Sequence, residues 1–500
     1  MSYKSYFDYM SEISSSELFE SLLAYGLFTD KLPPVFTSED FYNYSLQNMC
    51  NYNVECHNYI RFNSIRNSSV PRQLGIPHPF AYAILCNELS KDWNTHILPF
   101  FKTVTSNRKY KVSKIHLRKM YLSKALFQMS YENYKTDGTV ENDLMIGKRF
   151  MVKADISTCF PSIYSHSIAW ALVGKDQAKA MKNTSIWYND IDKCSRNSKN
   201  GETNGIIIGP HASNLISEII LTKIDSNLSE YCFVRHIDDY TMFAENEEEA
   251  EKFVLDLSEE LAKYNLILNH KKTKVIKLPI TREDDWVRYL NSFSLSTNYG
   301  LVDYKLVKSY LDLAVELTIA NNNASAILYA LKVLASVSLT PNGQELCVKE
   351  AMHFSFIYPY LIPHLKEYVF DIYNLNSIDI SSFINKLYID SLKRNNYEGV
   401  YYCLYYAICL DIVIDELEED SIINSTDCIT KILFLLYCKK NSNGDIVDKL
   451  EKNALSLIAN DEFDENWLFV YEALPSDKFS GEIKTMKDSN ISFIRQGYRF

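Results

Sequence analysis

The sequence predicts an α+β fold: a split βαβ (ferredoxin-like) unit in the middle of the chain, then an all-helical C-terminal part. Three observations predict it. Between Lys153 and Ile276 the apolar patterning runs strand, helix, helix, hairpin, helix, strand. Beyond Val302 no segment alternates like a strand, while helical spacing recurs. Gly and Pro number only 14 and 13 in 500 residues, which disfavours an all-β or disordered chain and suits long helices. With 47% hydrophobic residues the chain can fill two or three cores. The expected division is an N-terminal helical segment (1–60), a mixed unit (61–285) and a helical remainder (286–500).

Taken in order, Ser15 to Ala24 is a first helix, stopped near Gly26. Pro33-Pro34 breaks the chain, and Thr37-Ser38-Glu39-Asp40 can cap a second helix. Pro71 to Pro79 reads as a rigid loop feeding a helix from Phe80 to about Ser90. The densest basic stretch is Lys102 to Lys124, with Arg108, Lys109, Lys111, Lys114, Arg118, Lys119 and Lys124. Phe150 to Ile156 is apolar enough for a half-buried strand. A short helix, Ser165 to Leu172, and a polar loop, Asn183 to Asn204, follow. Gly205 to Asn214 opens a helix to about Leu228. Tyr231 to Ile237 and Tyr240 to Ala244 are strands around Asp238-Asp239. Ala250, Phe253, Leu257, Leu261 and Tyr264 make Glu247–Tyr264 an amphipathic helix. Leu266–Asn269 and Val275-Ile276 read as further strands. Helices are then expected near Lys305–Ala320, Ala324–Ser336, Gln344–His353, Tyr358–Ile372, Ser381–Lys393, Tyr397–Asp415, Cys428–Cys438 and Asp445–Asn460. Stacked helical hairpins of the HEAT type fit that layout.

Composition narrows the function. The 11 cysteines are scattered, without a Cys-x-x-Cys pair, which reads as reduced thiols in a cytosolic protein without zinc. Met1 to Met10 is polar and aromatic, unlike a signal peptide. The most apolar run, Val400 to Leu410, is too short to span a bilayer, so no membrane partner is expected. A net charge of −11 argues against a nonspecific grip on long duplex. Charge is uneven, however: between Arg61 and Phe160, Lys and Arg outnumber Asp and Glu by more than two to one. That segment could meet phosphates, or it could be a solvated surface.

Two acidic points stand out. Asp155 follows strand-forming residues in Lys153-Ala154-Asp155-Ile156-Ser157-Thr158-Cys159-Phe160-Pro161. Asp238-Asp239 ends another strand in Val234-Arg235-His236-Ile237-Asp238-Asp239-Tyr240. Aspartate is a poor strand former, so its place there needs a reason. Turn chemistry is one reason. A pair of Mg²⁺ ions is another, since hard cations take carboxylate oxygens from separate strands.

In order and spacing these residues resemble the reverse transcriptase motif series. Asp155-Ile156 with Phe160 is similar to its first catalytic motif, and Gly205 to Ser213 to the Gly-x-x-x-Gly-Pro-x-x-Ser element. Asp238-Asp239 is similar to the paired aspartates, and Leu268-Asn269-His270-Lys271-Lys272-Thr273 to the Leu-Asn-x-x-Lys-Thr motif. Phe160 to Ser167, Gly201 to Ile206, Gly209-Pro210-His211 and Ile76-Pro77-His78-Pro79 resemble one branch, the abortive-infection (Abi) reverse transcriptases of the AbiK type. Ile207 departs from it where many relatives have proline. His236-Ile237 departs too, standing where an aromatic and then alanine or valine are common.

The resemblance implies reverse transcriptase-like fingers and a split βαβ palm, then an α-helical, HEAT-like repeat domain with no conventional thumb. It implies a template-independent, protein-primed DNA polymerase acting in bacterial, cytoplasmic defence against phage. The implied partners are dNTPs, a single-stranded DNA product covalently attached to the protein, and further copies of the chain in a homo-oligomer. Alternatives are a templated RNA-directed DNA polymerase and a catalytically inactive helical scaffold. Within this frame Asp155 and Asp238 are expected to bridge two Mg²⁺ ions (Mn²⁺ as substitute), with Asp239 a further ligand and the Ile156 carbonyl an added oxygen. Lys272 would steady or protonate the leaving pyrophosphate, or be a surface lysine. Lys124 and Arg118 are candidates for the triphosphate, or a solvated helix face. Phe160 would lie under the sugar and select dNTPs, or be core. Gly209-Pro210 would admit a nucleotide to the backbone, or start a helix. Priming calls for a tyrosine on a segment able to enter the cleft. The expected places are Tyr44 first, whose small polar neighbours Asn43 and Ser45 suit an exposed position unless Tyr44 simply packs, with Tyr42, and the tail carrying Tyr3, Tyr6 and Tyr9. The helical part is expected to pack on the palm and frame an exit for single-stranded DNA.

Overall fold

The computed structural model of the protein describes residues 4–66, 70–106, 112–114, 117–120, 123–127, 138–281, 283–295, 300–323 and 325–500. Tyr3, Arg108, Lys109 and Lys111 lie outside the described residues. The chain opens with α1 (Tyr6–Ser11), α2 (Ser15–Ala24) and α3 (Glu39–Asn48). Ser5 and Ser14 close capping boxes with Asp8 and Glu17, satisfying amide groups that the first turns leave free. Strand β1 (Tyr59–Ser64) pairs antiparallel with β2 (Arg72–Pro77), Arg61 facing Gly75 and Phe62 facing Leu74. The rigid loop expected from Pro71 to Pro79 is therefore mostly strand. Its prolines stand at the ends of the pairing, where a missing N–H costs little. Pro79 then begins α4 (Pro79–Lys91), and α5 (Leu98–Thr105) follows.

The central sheet holds β3 (Phe150–Asp155), β4 (Phe233–His236), β5 (Asp239–Ala244) and β6 (Lys274–Lys277) in the order β4-β5-β3-β6, all antiparallel. Helix Glu247–Ala262 lays Ala250, Phe253, Leu257 and Leu261 on this sheet, all fully buried. That is the amphipathic face read from its spacing. Leu266–Asn269 does not become a strand; it makes a single bridge, Leu268 to Ile156. The polar loop expected over 183–204 contains a helix, Trp187–Asn197. Its Tyr188, Ile191 and Cys194 form a narrow buried stripe in an otherwise polar sequence.

Beyond the sheet lie the helices Tyr304–Asn321, Ser325–Ala335, Pro341–Ile357, Ser377–Lys393, Tyr397–Leu410, Cys428–Lys440 and Gly444–Ala459, with Phe463–Ala473 and Gly481–Asp488 after them. Where one helix was expected over 358–372, Pro359 and Pro363 impose a 3-10 segment, Pro359–His364, followed by a π turn, Lys366–Phe370. Helix Tyr397–Leu410 ends before Asp411, whose φ is +54°. Tyr397–Leu410 and Cys428–Lys440 are buried nearly all round and form the centre of this part.

The helical part docks on the N-terminal segment and the β1–β2 hairpin. Tyr402 donates to the Lys31 carbonyl (3.1 Å) and Ser64 to Glu398 (3.1 Å). Asn58 N–H donates to Asp464 (2.9 Å), and Thr37 N–H to the Phe493 carbonyl (2.9 Å). Arg499 reaches Asp40 at 2.6 Å. The expected packing on the palm is thus replaced, in the main, by packing on the hairpin and N-terminus. One apolar core runs through all of it, from Met10 to Ile494. Among the described residues no helix is long and apolar enough to cross a membrane.

Candidate active site

Antiparallel pairing brings the two acidic points together. Asp155 ends β3, Asp239 opens β5, and the two are direct partners in the register. Asp238 lies in the two-residue turn between β4 and β5, where His236 pairs with Asp239. The Asp238 carbonyl accepts from the Ile156 N–H at 3.2 Å, and the Asp155 carbonyl from the Asn269 N–H at 2.7 Å. The strand ends are thereby stitched to the segment carrying Lys272. Side chains repeat the pattern: Asn269 Nδ2 donates to Asp155 Oδ2 (2.9 Å), and Lys272 Nζ to Asp155 Oδ1 (3.1 Å). Asp155 is 6% exposed, whereas the Lys272 stem reaches it from solvent.

The three carboxylates crowd one another. Burial pushes the Asp238 carboxyl up, and the Asp155 charge adds to it; Arg72 and Lys272 pull it partly back. Removal of water and a hydrogen bond shared with Asp155 push Asp239 up to about 6. Negative charge only partly relieved, on oxygen donors from two strands and their turn, is the donor chemistry that a hard divalent cation suits. On that test the residues fit the metal they were expected to hold.

The residues expected on the nucleotide side share one stretch of backbone contacts. Thr158, in the left-handed region at φ +45°, turns the chain into the short helix Cys159–Ser162 that carries half-buried Phe160. Ile206 N–H donates to the Phe160 carbonyl (3.0 Å) and Gly205 N–H to the Ile163 carbonyl (2.8 Å). Gly205 is irreplaceable in this contact: its φ is +77°, and an added Cβ would lie 2.7 Å from the Pro161 oxygen. Gly209 adopts φ +129° and backs onto Gly75 of β2, whose N–H donates to the Ile208 carbonyl at 2.9 Å. Pro210 is the N-cap of helix His211–Asn227. Phe160 and Gly209-Pro210 thus flank one loop, with the hairpin on its other side.

Other expected residues lie elsewhere. Lys124 pairs with Glu20 of α2 at 2.6 Å, and buried Arg118 stands over the Tyr9 ring of α1. Tyr44 is 8% exposed and donates to Glu482. Its neighbour Ser45 is fully buried against Tyr52, so the exposure inferred from small polar neighbours is corrected. Tyr42 and Tyr9 are half-buried. The N-terminal stretch is no loose tail, for Tyr6 is buried in α1 with its hydroxyl on Glu218.

Sequence reasoning missed three polar residues here. Asn269, a member of the Leu-Asn-x-x-Lys-Thr stretch, holds Asp155 through its side-chain amide. Arg72, on β2, lowers the Asp238 carboxyl through its charge, a long-range effect no local pattern signals. Arg235 looked like a strand residue and is completely buried. A separate group, His57, His78 and Asp464, has its ligand atoms within 4.8 Å of one another. Its two imidazoles stack at 3.8 Å and 7°, so their in-plane lone pairs cannot meet at one ion as they stand. His57 Nδ1 to Asp464 (3.2 Å) instead ties hairpin to helix Phe463–Ala473, beside a cavity of about 200 Å³.

Residues 78–292 match the family Reverse transcriptase (RNA-dependent DNA polymerase). No curated protein matches the chain. Among solved structures it is similar to apo telomerase from Candida tropicalis truncated from the C-terminal domain, with 15% identity and a TM-score of 0.28 over 48% of this chain and 55% of that one. It is also similar to telomerase from Candida albicans in complex with a fragment of telomeric RNA, with 12% identity and a TM-score of 0.28 over 77% of this chain. The chain thus spans about 55% and 65% of those two chains. Domains of the matched family act on nucleotides and nucleic acid, generally with divalent metal ions. Residues 78–292 thus form a reverse transcriptase-like nucleotidyltransferase domain within the chain.

Proposed function

We propose that this protein polymerises dNTPs at Asp155, Asp238 and Asp239 without a template, extending a hydroxyl of the protein itself, in abortive-infection defence against phage. The observation that carries the polymerase reading is the register of β3 on β5, which sets Asp155 opposite Asp239 with Asp238 in the adjoining turn. Template independence, protein priming and the defence role rest on the AbiK-type resemblance of Phe160 to Ser167, Gly201 to Ile206, Gly209-Pro210-His211 and Ile76 to Pro79. Docking of the helical part on the hairpin supports the absence of a conventional thumb.

The three aspartates would hold two Mg²⁺ ions, which when bound supply an acidified attacking hydroxyl and neutralise charge at the α-phosphate. The chain's own groups do the rest. Lys272, salt-bridged to Asp155, would meet the leaving pyrophosphate. Phe160, whose carbonyl accepts from the Ile206 N–H, would lie under the sugar and exclude a 2′-hydroxyl. Gly209 lets backbone approach the nucleotide without a Cβ in the way.

The test is incubation of the full chain with Mg²⁺ and labelled dNTPs, without template or primer, followed by denaturing gels with and without protease. Label that migrates with protein and is released by protease supports the reading. Incorporation only after a primed RNA template is added would favour templated synthesis, and no incorporation in either arm would favour a scaffold.

A further inference from the structure

Arg235 has every N–H of its guanidinium committed, beneath the aspartate turn. Nη1 donates to Glu218 Oε2 (3.0 Å) and to the Ile237 carbonyl (2.9 Å); Nη2 donates to Glu218 Oε1 (3.1 Å) and meets Asp225 Oδ2 (2.8 Å); Nε donates to Asp225 Oδ2 (2.9 Å). Both acids stand on helix His211–Asn227 and are buried, as Arg235 is. The turn is held on its far side too, since the Tyr240 hydroxyl donates to Asp225 Oδ1 at 3.0 Å. From outside, Tyr6 of α1 donates to Glu218.

The residue gripped is an unusual one. Ile237 immediately precedes Asp238 and sits at φ +60°, a region that a β-branched side chain enters only under constraint. Released, its backbone would relax towards negative φ and swing the Asp238 peptide. A buried ion cluster joining helix to sheet would need only the Glu218 and Asp225 contacts. The donor spent on the Ile237 carbonyl acts on the turn itself.

We infer that Arg235 is a positioning residue: it holds the strained turn so that Asp238 and Asp239 face Asp155, and Tyr6 braces that hold through Glu218. The N-terminal helix thereby belongs to the working parts of the site. The inference rests on the aspartates being the metal ligands proposed above.

The test measures Mn²⁺ binding to the full chain by depletion of the free-ion EPR signal, beside the Mg²⁺ dependence of dNTP incorporation. Asp238→Asn defines which Mn²⁺ belongs to the aspartates; if it binds Mn²⁺ as the wild type does, the reading of the site fails, and the inference with it. Arg235→Lys keeps a charge between the two acids but cannot also span to Ile237. It should bind Mn²⁺ about tenfold more weakly, the scale of one charge-assisted hydrogen bond withdrawn. Tyr6→Phe, which removes only a hydroxyl, should weaken binding by about two- to threefold. The Mg²⁺ half-saturation for incorporation should move by the same factors. Leu257→Ala, a core truncation under the same sheet, should lower stability and leave Mn²⁺ affinity unchanged. Wild-type affinity in folded Arg235→Lys, or an equal shift in Leu257→Ala, overturns the inference. If Arg235→Lys does not fold, Tyr6→Phe decides: unchanged Mn²⁺ affinity in it overturns the proposal.

Discussion

Gly205→Ala tests whether the loop between the two glycines sets the position of Phe160. The added methyl meets two separate penalties. At φ +77° an L-residue is disfavoured by about 1–2 kcal/mol. Its Cβ also lies 2.7 Å from the Pro161 oxygen, so that carbonyl must retreat by about 0.7 Å before the contact is ordinary. Pro161 has a ring-locked φ and sits between two backbone bonds, Gly205 to Ile163 at 2.8 Å and Ile206 to Phe160 at 3.0 Å. Retreat on that scale stretches one of them, at about 1 kcal/mol. The total is on the order of 2–3 kcal/mol, and it falls on the turn that carries Phe160. Thermal melts of Gly205→Ala should therefore show a clear loss beside Gly444→Ala, whose added methyl meets nothing within 4 Å. In the same protein the ratio of dNTP to rNTP incorporation should fall several-fold, because the ring no longer stands where it did. Wild-type stability would refute the steric argument. Lost stability with an unchanged ratio would refute the link from Gly205 to sugar choice.

Three further outcomes follow from the same geometry. Asp155→Asn and Asp238→Asn should each lower dNTP incorporation by about two to three orders of magnitude in a folded protein, as removal of a charge at a metal-held transition state does; full activity in either would remove the site. Phe160→Val should admit ribonucleotides, cutting the dNTP-to-rNTP ratio by about 10- to 100-fold, the usual reach of a steric gate, as measured by single-nucleotide incorporation. Burial raises the Glu398 carboxyl to about 7, although it accepts from Ser64 and the Ile65 N–H. A folded value above the unfolded one means stability present below about pH 4.5 and lost as pH rises through about 7, so the melting temperature should fall over that window in the wild type and less in Glu398→Gln.

What was legible depended on how local the cause was. Helix Ser15–Ala24, β3, the aspartate hairpin and helix Glu247–Ala262 each carry their own periodicity, and all four appear where the spacing puts them. The β1–β2 hairpin was hidden because its prolines mimic a loop, and its strand character exists only through pairing with Tyr59–Ser64. Helix Phe463–Ala473 was hidden for the opposite reason: Trp467 to Tyr471 are all buried, so no polar face marks a period. At the site, the aspartates and Lys272 could be read because strand ends and motif spacing are properties of short segments. Arg72 and Tyr6 could not, for their partners lie far away in sequence, Asp238 for one and Glu218 for the other.

Charge explains why those distant residues matter. The chain is acidic overall, and its site adds three carboxylates within a few residues of the sheet's end. Folding alone would oppose that arrangement, as the raised Asp238 and Asp239 carboxyls show. Cations bear on it from separate elements, Lys272 just before β6 and Arg72 on the hairpin, while Arg235 grips the turn from beneath. Lys272 and Arg72 are exposed and, on the proposed reading, would turn to an incoming phosphate. Arg235 is sealed in and can only hold its turn. The division follows from burial. An exposed cation is free to exchange a carboxylate for a nucleotide, whereas a buried one with every N–H bonded fixes the geometry that the exchange requires.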